Sequence, residues 1–404
     1  MHQQSFIKPY YIFFIVLPAG ISLGFVTITL PYLLTHKGFT VEGISGIVTV
    51  AVSANLWRFL WGPVVDLTLS LRKWFWIGLL ACIATLLMIC FTPFTVKGIV
   101  LLTIIVFISQ VAGTFTLLPV SAFMAKRIEN NKKGKAGGWF QAGNLGGVGL
   151  GGGAGLWLAT HYNVAIAGII LSAASLLFAS IILMIEDVPH EKNKKVKTEI
   201  VEMGKEIIAM VKVPTILFII IMICLPIGTG AASNLWSAIA VDWKTDADTV
   251  ALITGVLSGI ISAIGCIAGG FIADRWGNWV SYLGFGILCA LITGVMALFP
   301  YQPIVYITGV LAYAFTGGLM NAAFTSVLLF ATGKKNAATK FSLLVSLGNL
   351  SFAYMTFVDG WMHDKHNSKY MLVAEAALGL ASVMVCAIVL KRLMAKKMIL
   401  QIIN

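Results

Sequence analysis

The sequence predicts an all-α integral membrane protein of twelve transmembrane helices in two six-helix pseudo-repeats, and three observations carry that expectation. Hydrophobic residues fill 59% of the 404 positions and charged residues only 11%, with a mean hydropathy of +0.93, far from the composition of a water-soluble domain. Apolar runs of about 20 residues recur from end to end, each long enough to cross roughly 30 Å of hydrocarbon. The two halves of the chain also repeat one another in a single register.

The helices are expected at 9–34, 42–65, 74–93, 98–125, 137–160 and 164–186, then at 214–240, 248–273, 279–299, 303–332, 340–361 and 370–391. Between the two sets lies the one long polar segment, 187–213, containing Glu191, Lys192, Lys194, Lys195 and Lys197. From Thr198 to Lys212, Ile200, Met203, Ile207 and Met210 recur at helical intervals with charges opposite, the pattern of a short helix on a membrane surface. The organisation read from this is a first bundle over 1–186, a cytoplasmic linker over 187–213 and a second bundle over 214–404. Lys8 leads directly into an apolar run with no small-residue cleavage site, so the first helix is read as retained rather than as a signal peptide.

The repeat is explicit. Leu17-Pro18-Ala19-Gly20 returns 208 residues later as Leu225-Pro226-Ile227-Gly228, and Gly62 with Asp66 returns at the same offset as Gly270 with Asp274. Gly113 matches Gly318, and Gly143-Asn144-Leu145 matches Gly348-Asn349-Leu350, at an offset of 205.

A net charge of +12 invites a nucleic-acid reading, yet the cations sit in short clusters between apolar runs rather than along one face. With both termini cytoplasmic, one side collects Arg72, Lys73, Lys126, Arg127, Lys132, Lys133, Lys135, the linker lysines, Lys334, Lys335, Lys340, Lys391, Arg392, Lys396 and Lys397. The other side keeps only Lys37, Lys97, Lys244, Lys365 and Lys369. That asymmetry fixes the orientation, so no nucleic-acid partner is expected. The six cysteines all lie within apolar segments without a CxxC pair, which argues for packing rather than metal or disulfide chemistry. Gly147-x-Gly149-x-x-Gly152 lacks any strand before it, and Gly134-Lys135 is followed by Ala136 rather than Ser or Thr, so neither nucleotide motif stands. No HExxH, nucleophile elbow or paired catalytic carboxylates occur, so neither an enzyme nor a cofactor is expected.

The strongest motif is Gly62-x-x-x-Asp66 followed by Arg72 and Lys73, echoed by Gly270-x-x-x-Asp274-Arg275-x-Gly277. It resembles the loop signature of the major facilitator superfamily, in which Gly permits close helix approach and Asp pairs with a neighbouring cation to latch one conformation. Leu67 replaces the expected Arg in the first copy, so that latch would recruit Arg72. Six-plus-six helices around a charged linker match the same fold. Arg58-Phe59-Leu60-Trp61-Gly62-Pro63-Val64-Val65-Asp66 further resembles the muropeptide permease (AmpG-type) and acetyl-CoA transporter group, which includes siderophore importers. The resemblance implies a carrier of a small-molecule, bulky anionic or peptide-like solute, coupled to protons; a monomer is expected, and short outer loops suit a bacterial inner membrane. The glycine-rich stretch 137–155 is faintly similar to a motif of drug/proton antiporters but lacks its proline, which keeps export, or a sensor without flux, as the alternative.

Within that frame, Arg58 lies roughly 12 Å along its helix from Asp66 at 1.5 Å per residue, too deep to remain unpaired in lipid. Two readings follow: an anion contact for substrate, or an ion pair between helices. Asn55, Gln110, Gln141, Asn144, Asn234, Asn321 and Asn349 are isolated amides inside apolar runs, candidates for lining the path or for bonding helices together. Trp57, Tyr32, Trp236 and Tyr354 are stacking partners for substrate, interfacial anchors or packing residues. Proton coupling needs a carboxylate or histidine buried in one state and wet in another. Glu375, about a turn inside the twelfth helix, and Asp359, Asp242 and Glu42 near outer helix ends are the candidates.

Overall fold

Inside hydrocarbon every backbone N–H and C=O must be satisfied within its own segment, which leaves an apolar chain of this kind only helices or a closed barrel. The computed structural model describes residues 7–128, 133–187, 196–332 and 337–395, and among them there is no strand. The helices are α1 (Tyr11–His36), α2 (Val41–Val65), α3 (Leu71–Phe91), α4 (Ile99–Arg127), α5 (133–161), α6 (Val164–Met184), the linker helix α7 (Val196–Val211), the broken span α8 (214–243), α9 (Ala247–Ala273), α10 (Asn278–Met296), α11 (Pro303–Ala331), α12 (Lys340–Lys365) and α13 (Ser368–Lys391). Ten are long and apolar enough to cross a membrane as they stand. The other two crossings are α5, where glycine and two amides replace larger apolar residues, and α8, whose regular helix covers only Pro214–Cys224. Linker residues Glu191, Lys192, Lys194 and Lys195 lie outside the described residues.

Local sequence sets the helix starts. Thr40 accepts from the Gly43 amide at 3.2 Å at the head of α2, Asn163 from Ile166 at 2.8 Å at α6, and Asp246 from Thr249 at 2.9 Å at α9; each side chain satisfies an amide that has no partner within its helix. These turns share one end of the bundle with those around 92–98, 297–302 and 366–367, called here the distal end, opposite the linker end.

The expectation of one continuous helix over 214–240 is corrected. Regular helix stops at Cys224, Leu225 is extended with φ −82° and ψ 154°, and short turns rebuild at Ala231–Asn234, Trp236–Ile239 and Ala240–Trp243. Pro226 disfavours helical geometry at the residue before it, and Gly228 and Gly230 adopt φ of +54° and +79°, which residues with a Cβ rarely take. In α1 the matching Pro18 stays within a helix.

The glycines of α5 form two seams. Gly143, Gly147 and Gly151, four residues apart, lie on the backbone of α1: an added Cβ would overlap Phe13 O, Leu17 O and Ile21 O respectively. Gly20 of α1 reciprocates, with a Cβ there only 2.5 Å from Asn144 O. On another side, the widened turn Leu150–Ala154 of α5 faces the widened turn Ala251–Leu257 of α9, where a Cβ on Gly255 would lie 2.5 Å from Gly153 Cα. The first seam joins helices of one half and the second joins the two halves.

Four apolar clusters fill the interior. The two at the distal end draw on both halves: Tyr32, Val41 and Leu156 pack with Trp236, Trp243, Tyr306 and Tyr313, while Ala238 and Ala353 join Ile44, Val48 and Leu86. The halves therefore meet mainly at the distal end, which is closed.

Candidate functional site

The seam between halves is built largely from α2 and α12. Thr49 Oγ1 donates to Ala353 O at 3.2 Å, and Gly360 sits so near Ser45 that a Cβ would overlap its side chain and lie 2.9 Å from Val41 O. At the distal tip, Asp364 of α12 accepts from the Val41 amide at 3.1 Å and the Glu42 amide at 2.5 Å. A carboxylate from the second half thus caps the N-terminus of a helix in the first, where unsatisfied amides and the helix dipole both favour negative charge. His363 steadies that cap, with Nδ1 3.0 Å from Asp364 Oδ1 and Nε2 2.8 Å from Asp242 Oδ2. Asp242 also accepts from Ser368 Oγ. Both ring nitrogens of His363 serve as donors only when the imidazole is protonated.

Arg58 begins the linker-side part of α2, directly after a tight turn at Ala54–Trp57 that contains Asn55. Both residues are half-exposed, and among the described residues Arg58 has no hydrogen-bond or ion-pair partner. Among the described residues, the helix-to-helix ion pair anticipated as one reading of Arg58 is not formed in this conformation. Its neighbour Phe59 packs against the linker-side cluster, whose buried members come from the linker helix and the second half, so Arg58 stands at the boundary between halves.

The predicted amides divide. Gln110 is buried and donates through Nε2 to Ser22 Oγ at 3.3 Å, with Ser22 bonded to Ser109 at 2.8 Å, which ties α4 to α1. Asn234 is buried and donates to Thr356 Oγ1 at 2.9 Å, tying α8 to α12. These two bond helices together within one half and are not open to a solute here. Asn144 and Asn349 are half-buried at matched repeat positions, the latter donating to Val345 O at 3.1 Å. Gln141 and Asn321 are exposed.

Gly62 and Gly270 make no close helix contact: a Cβ at either would meet nothing within 4 Å. The close approach expected of that glycine motif is absent in this distal-closed arrangement. The side chains of Asp66 and Asp274 lie outside the described set, and Arg275 is exposed. Arg72 is engaged elsewhere, its amide donating to Asp187 Oδ1 at 3.0 Å and its guanidinium to Ile185 O. Arg127 joins it, 3.2 Å from Glu186 Oε2 and 2.8 Å from Asp187 O, so two arginines clamp the end of α6 where the linker begins.

Among the acid candidates, Glu42 is half-buried and contributes its backbone amide to the distal cap. Asp359 lies toward the distal end of α12, which closes at Lys365, and is 0% exposed. Glu375 is also buried, its Oε1 accepting from Tyr313 at 2.5 Å. Sequence reading missed Asp364, His363 and Tyr313; the only signal for the first two was a charged pair closing an apolar run.

The chain matches the Major Facilitator Superfamily over residues 12–356. It belongs to that superfamily. Solved structures agree on the fold: a nucleoside transporter superposes with a TM-score of 0.72 at 13% identity, covering 94% of this chain and 99% of its own. A D-xylose-proton symporter gives 0.70 at 14%, covering 94% and 96%, and a peptide transporter in complex with sulfate gives 0.74 at 11%, covering 95% and 94%. Among curated proteins, the anhydromuropeptide permease of Escherichia coli (strain K12) is 30% identical over 147 residues. That match spans 35% of this chain and 30% of the permease's length. This major facilitator is therefore a multi-pass membrane transporter and not an enzyme.

Proposed function

We propose that this facilitator imports an anionic, peptide-like solute, a muropeptide or a siderophore, across a bacterial inner membrane with protons as the driving ion and both termini cytoplasmic. Arg58 is the observation that carries the reading. A guanidinium at this depth costs several kcal/mol unless it faces water, protein or an anion, and here it is half-exposed, partnerless among the described residues and placed at the boundary between halves. Arg presents a planar fork of donors suited to a carboxylate or phosphate. Solutes in this fold sit near the bilayer midplane between the halves, and Asn55, Asn144 and Asn349 are half-exposed amides available to its polar groups. The partial likeness to the anhydromuropeptide permease supports the solute class, and the lysine and arginine distribution supports the orientation.

Uptake of labelled anhydromuropeptide and of a ferric siderophore into a deletion strain, with and without the gene restored, tests the reading. Arg58→Ala is expected to abolish uptake and Arg58→Lys to retain a fraction of it, with both proteins reaching the membrane in normal amount. Normal uptake by Arg58→Ala removes Arg58 from the site. Antibiotic efflux without uptake would favour the exporter, and absence of flux in either direction would leave a sensor.

A further inference from the structure

Midway along α8 the chain leaves the helix and stays irregular from Leu225 to Gly230. The helix end before this turn is fully engaged. Ile223 O accepts from Ser351 Oγ at 3.0 Å, Cys224 O from the Tyr354 hydroxyl at 2.9 Å, and Leu225 O from the Ile227 amide at 2.8 Å. After the turn, Gly230 O accepts from the Ser233 amide at 3.0 Å and from Ser233 Oγ at 2.6 Å. Between these points the backbone is bare. The amides of Gly228, Thr229 and Gly230 and the carbonyls of Pro226, Ile227, Gly228 and Thr229 have no hydrogen-bond partner among the described residues. Gly228, Thr229 and Gly230 are each half-exposed, and Ser233 is exposed.

Irregular backbone at membrane depth is not tolerated against lipid; it survives only inside protein or beside a water-filled passage. The neighbours of the turn decide where it stands. Leu225 and Ile227 belong to the linker-side cluster, which Phe59, beside Arg58, also joins. Ala232, Leu235 and Trp236 belong to a cluster of the closed distal end. The Phe352 ring lies 3.9 Å from the place a Cβ on Gly230 would take, and it packs against the other distal cluster, built mainly by the first half. The turn therefore sits at the boundary between halves, just beneath the distal closure, and its half-exposed backbone faces the passage. The matching Leu17–Gly20 of α1 stays helical, so this backbone is presented by the second half alone.

We propose that the turn Pro226–Gly230 reads the peptide groups of the solute, its bare amides donating to solute carbonyl oxygens and its bare carbonyls accepting from solute N–H groups. The proposal rests on the import reading and narrows it to solutes that contain peptide bonds. Each peptide group offers one donor and one acceptor, and the turn leaves both kinds unspent. A carboxylate or phosphate would use the donors alone, and an apolar drug would use neither. Glycine at 228 and 230, with φ of +54° and +79°, also leaves no side chain between this backbone and whatever approaches it. With Arg58 supplying a cation from the first half, the solute that fits carries an anionic end and neutral donor–acceptor groups along its length, as a peptide chain does. Sugar hydroxyls have the same two capacities and are the rival that the experiment separates.

The experiment is amide hydrogen exchange read by mass spectrometry on the purified full chain in nanodiscs. Without solute, the amides of Gly228, Thr229 and Gly230 should exchange within seconds while those of Phe218–Cys224 stay protected; protection at the turn would overturn the proposal. An anhydromuropeptide, its peptide-free anhydrosugar and trialanine are then added in turn. The anhydromuropeptide should slow exchange at the turn and the anhydrosugar should not. Equal protection by the anhydrosugar, or protection by neither peptide-bearing probe, would overturn the proposal. Protection by trialanine alone would uphold it and refute the muropeptide reading. Gly230→Ala, whose Cβ resists a φ of +79°, should raise the half-saturating concentration of the protecting probe about tenfold. Gly204→Ala on α7, where a Cβ meets nothing within 4 Å, should leave it unchanged. Equal shifts in the two variants would count against the turn, and the wild-type exchange pattern does not depend on how either variant folds.

Discussion

Gly255→Ala is expected to drive the distal end open without weakening the fold. A methyl at Gly255 would lie 2.5 Å from Gly153 Cα and 2.6 Å from Gly153 N, both on α5 of the other half. Backbone on both sides cannot retreat as a side-chain tip would, so the overpacking cost falls in the range of about 1–3 kcal/mol. That cost exists only while α5 and α9 touch. At about 2 kcal/mol, the ratio of closed to open forms shifts by roughly 30-fold, so an evenly balanced population would become about 3% closed. Alanine also favours helix over glycine by about 1 kcal/mol in both forms, so thermal stability should hold or rise while the conformation changes. Electron-paramagnetic distances between labels at Lys97→Cys and Lys365→Cys, on distal turns of opposite halves, report the opening. Gly143→Ala is the control: its methyl would overlap Phe13 O within one half, which should lower the melting temperature and leave the distances alone. An unchanged distribution in Gly255→Ala, or an equal shift in Gly143→Ala, would refute the assignment of the two seams.

Two further outcomes follow from the caps. Asp364→Ala removes the carboxylate that closes α2 from the other half; at a typical capping value of about 1 kcal/mol, the same distances should move toward the open form by roughly five-fold. Asp246 caps α9 from the exposed distal turn, and donation first from the Thr249 amide and then from its hydroxyl holds its carboxyl below the usual range. Asp246→Ala should cost about 1 kcal/mol near neutral pH, and because a lowered acid stabilises only while ionised, the gap between variant and wild-type melting temperatures should close as pH falls below about 3.9.

Span count, repeat and family were legible because they rest on hydropathy and spacing, which a sequence displays directly. Depth and rotation were not. α12 and α13 are apolar around much of their circumference, so nothing in the pattern showed that Asp359 is fully buried or that Glu375 turns inward to Tyr313. An amide inside an apolar run announces a need for a partner without naming it, and only the packing of α4 on α1 shows that Gln110 finds Ser22. The Leu-Pro-x-Gly repeat reads alike in both halves, yet α1 stays helical and α8 breaks. The proline is common to both, so the second glycine, Gly230, and the close backbone support that α5 gives α1 decide the difference. Arg58 was readable in part: its depth followed from the helix rise, whereas its freedom from an ion pair did not.

The backbone-on-backbone seam between α1 and α5 has a mechanical corollary. Side chains can absorb a small displacement by changing rotamer, but peptide planes in van der Waals contact transmit it whole. Gly143, Gly147 and Gly151 therefore weld α5 to α1 into one stiff beam, while Gly153, a few ångströms further along, rests on α9 without being fastened to it. A tug applied to α5 at that bearing surface is delivered undamped to α1 and, through it, to Ser22 and α4, so these three helices should tilt together instead of bending one by one.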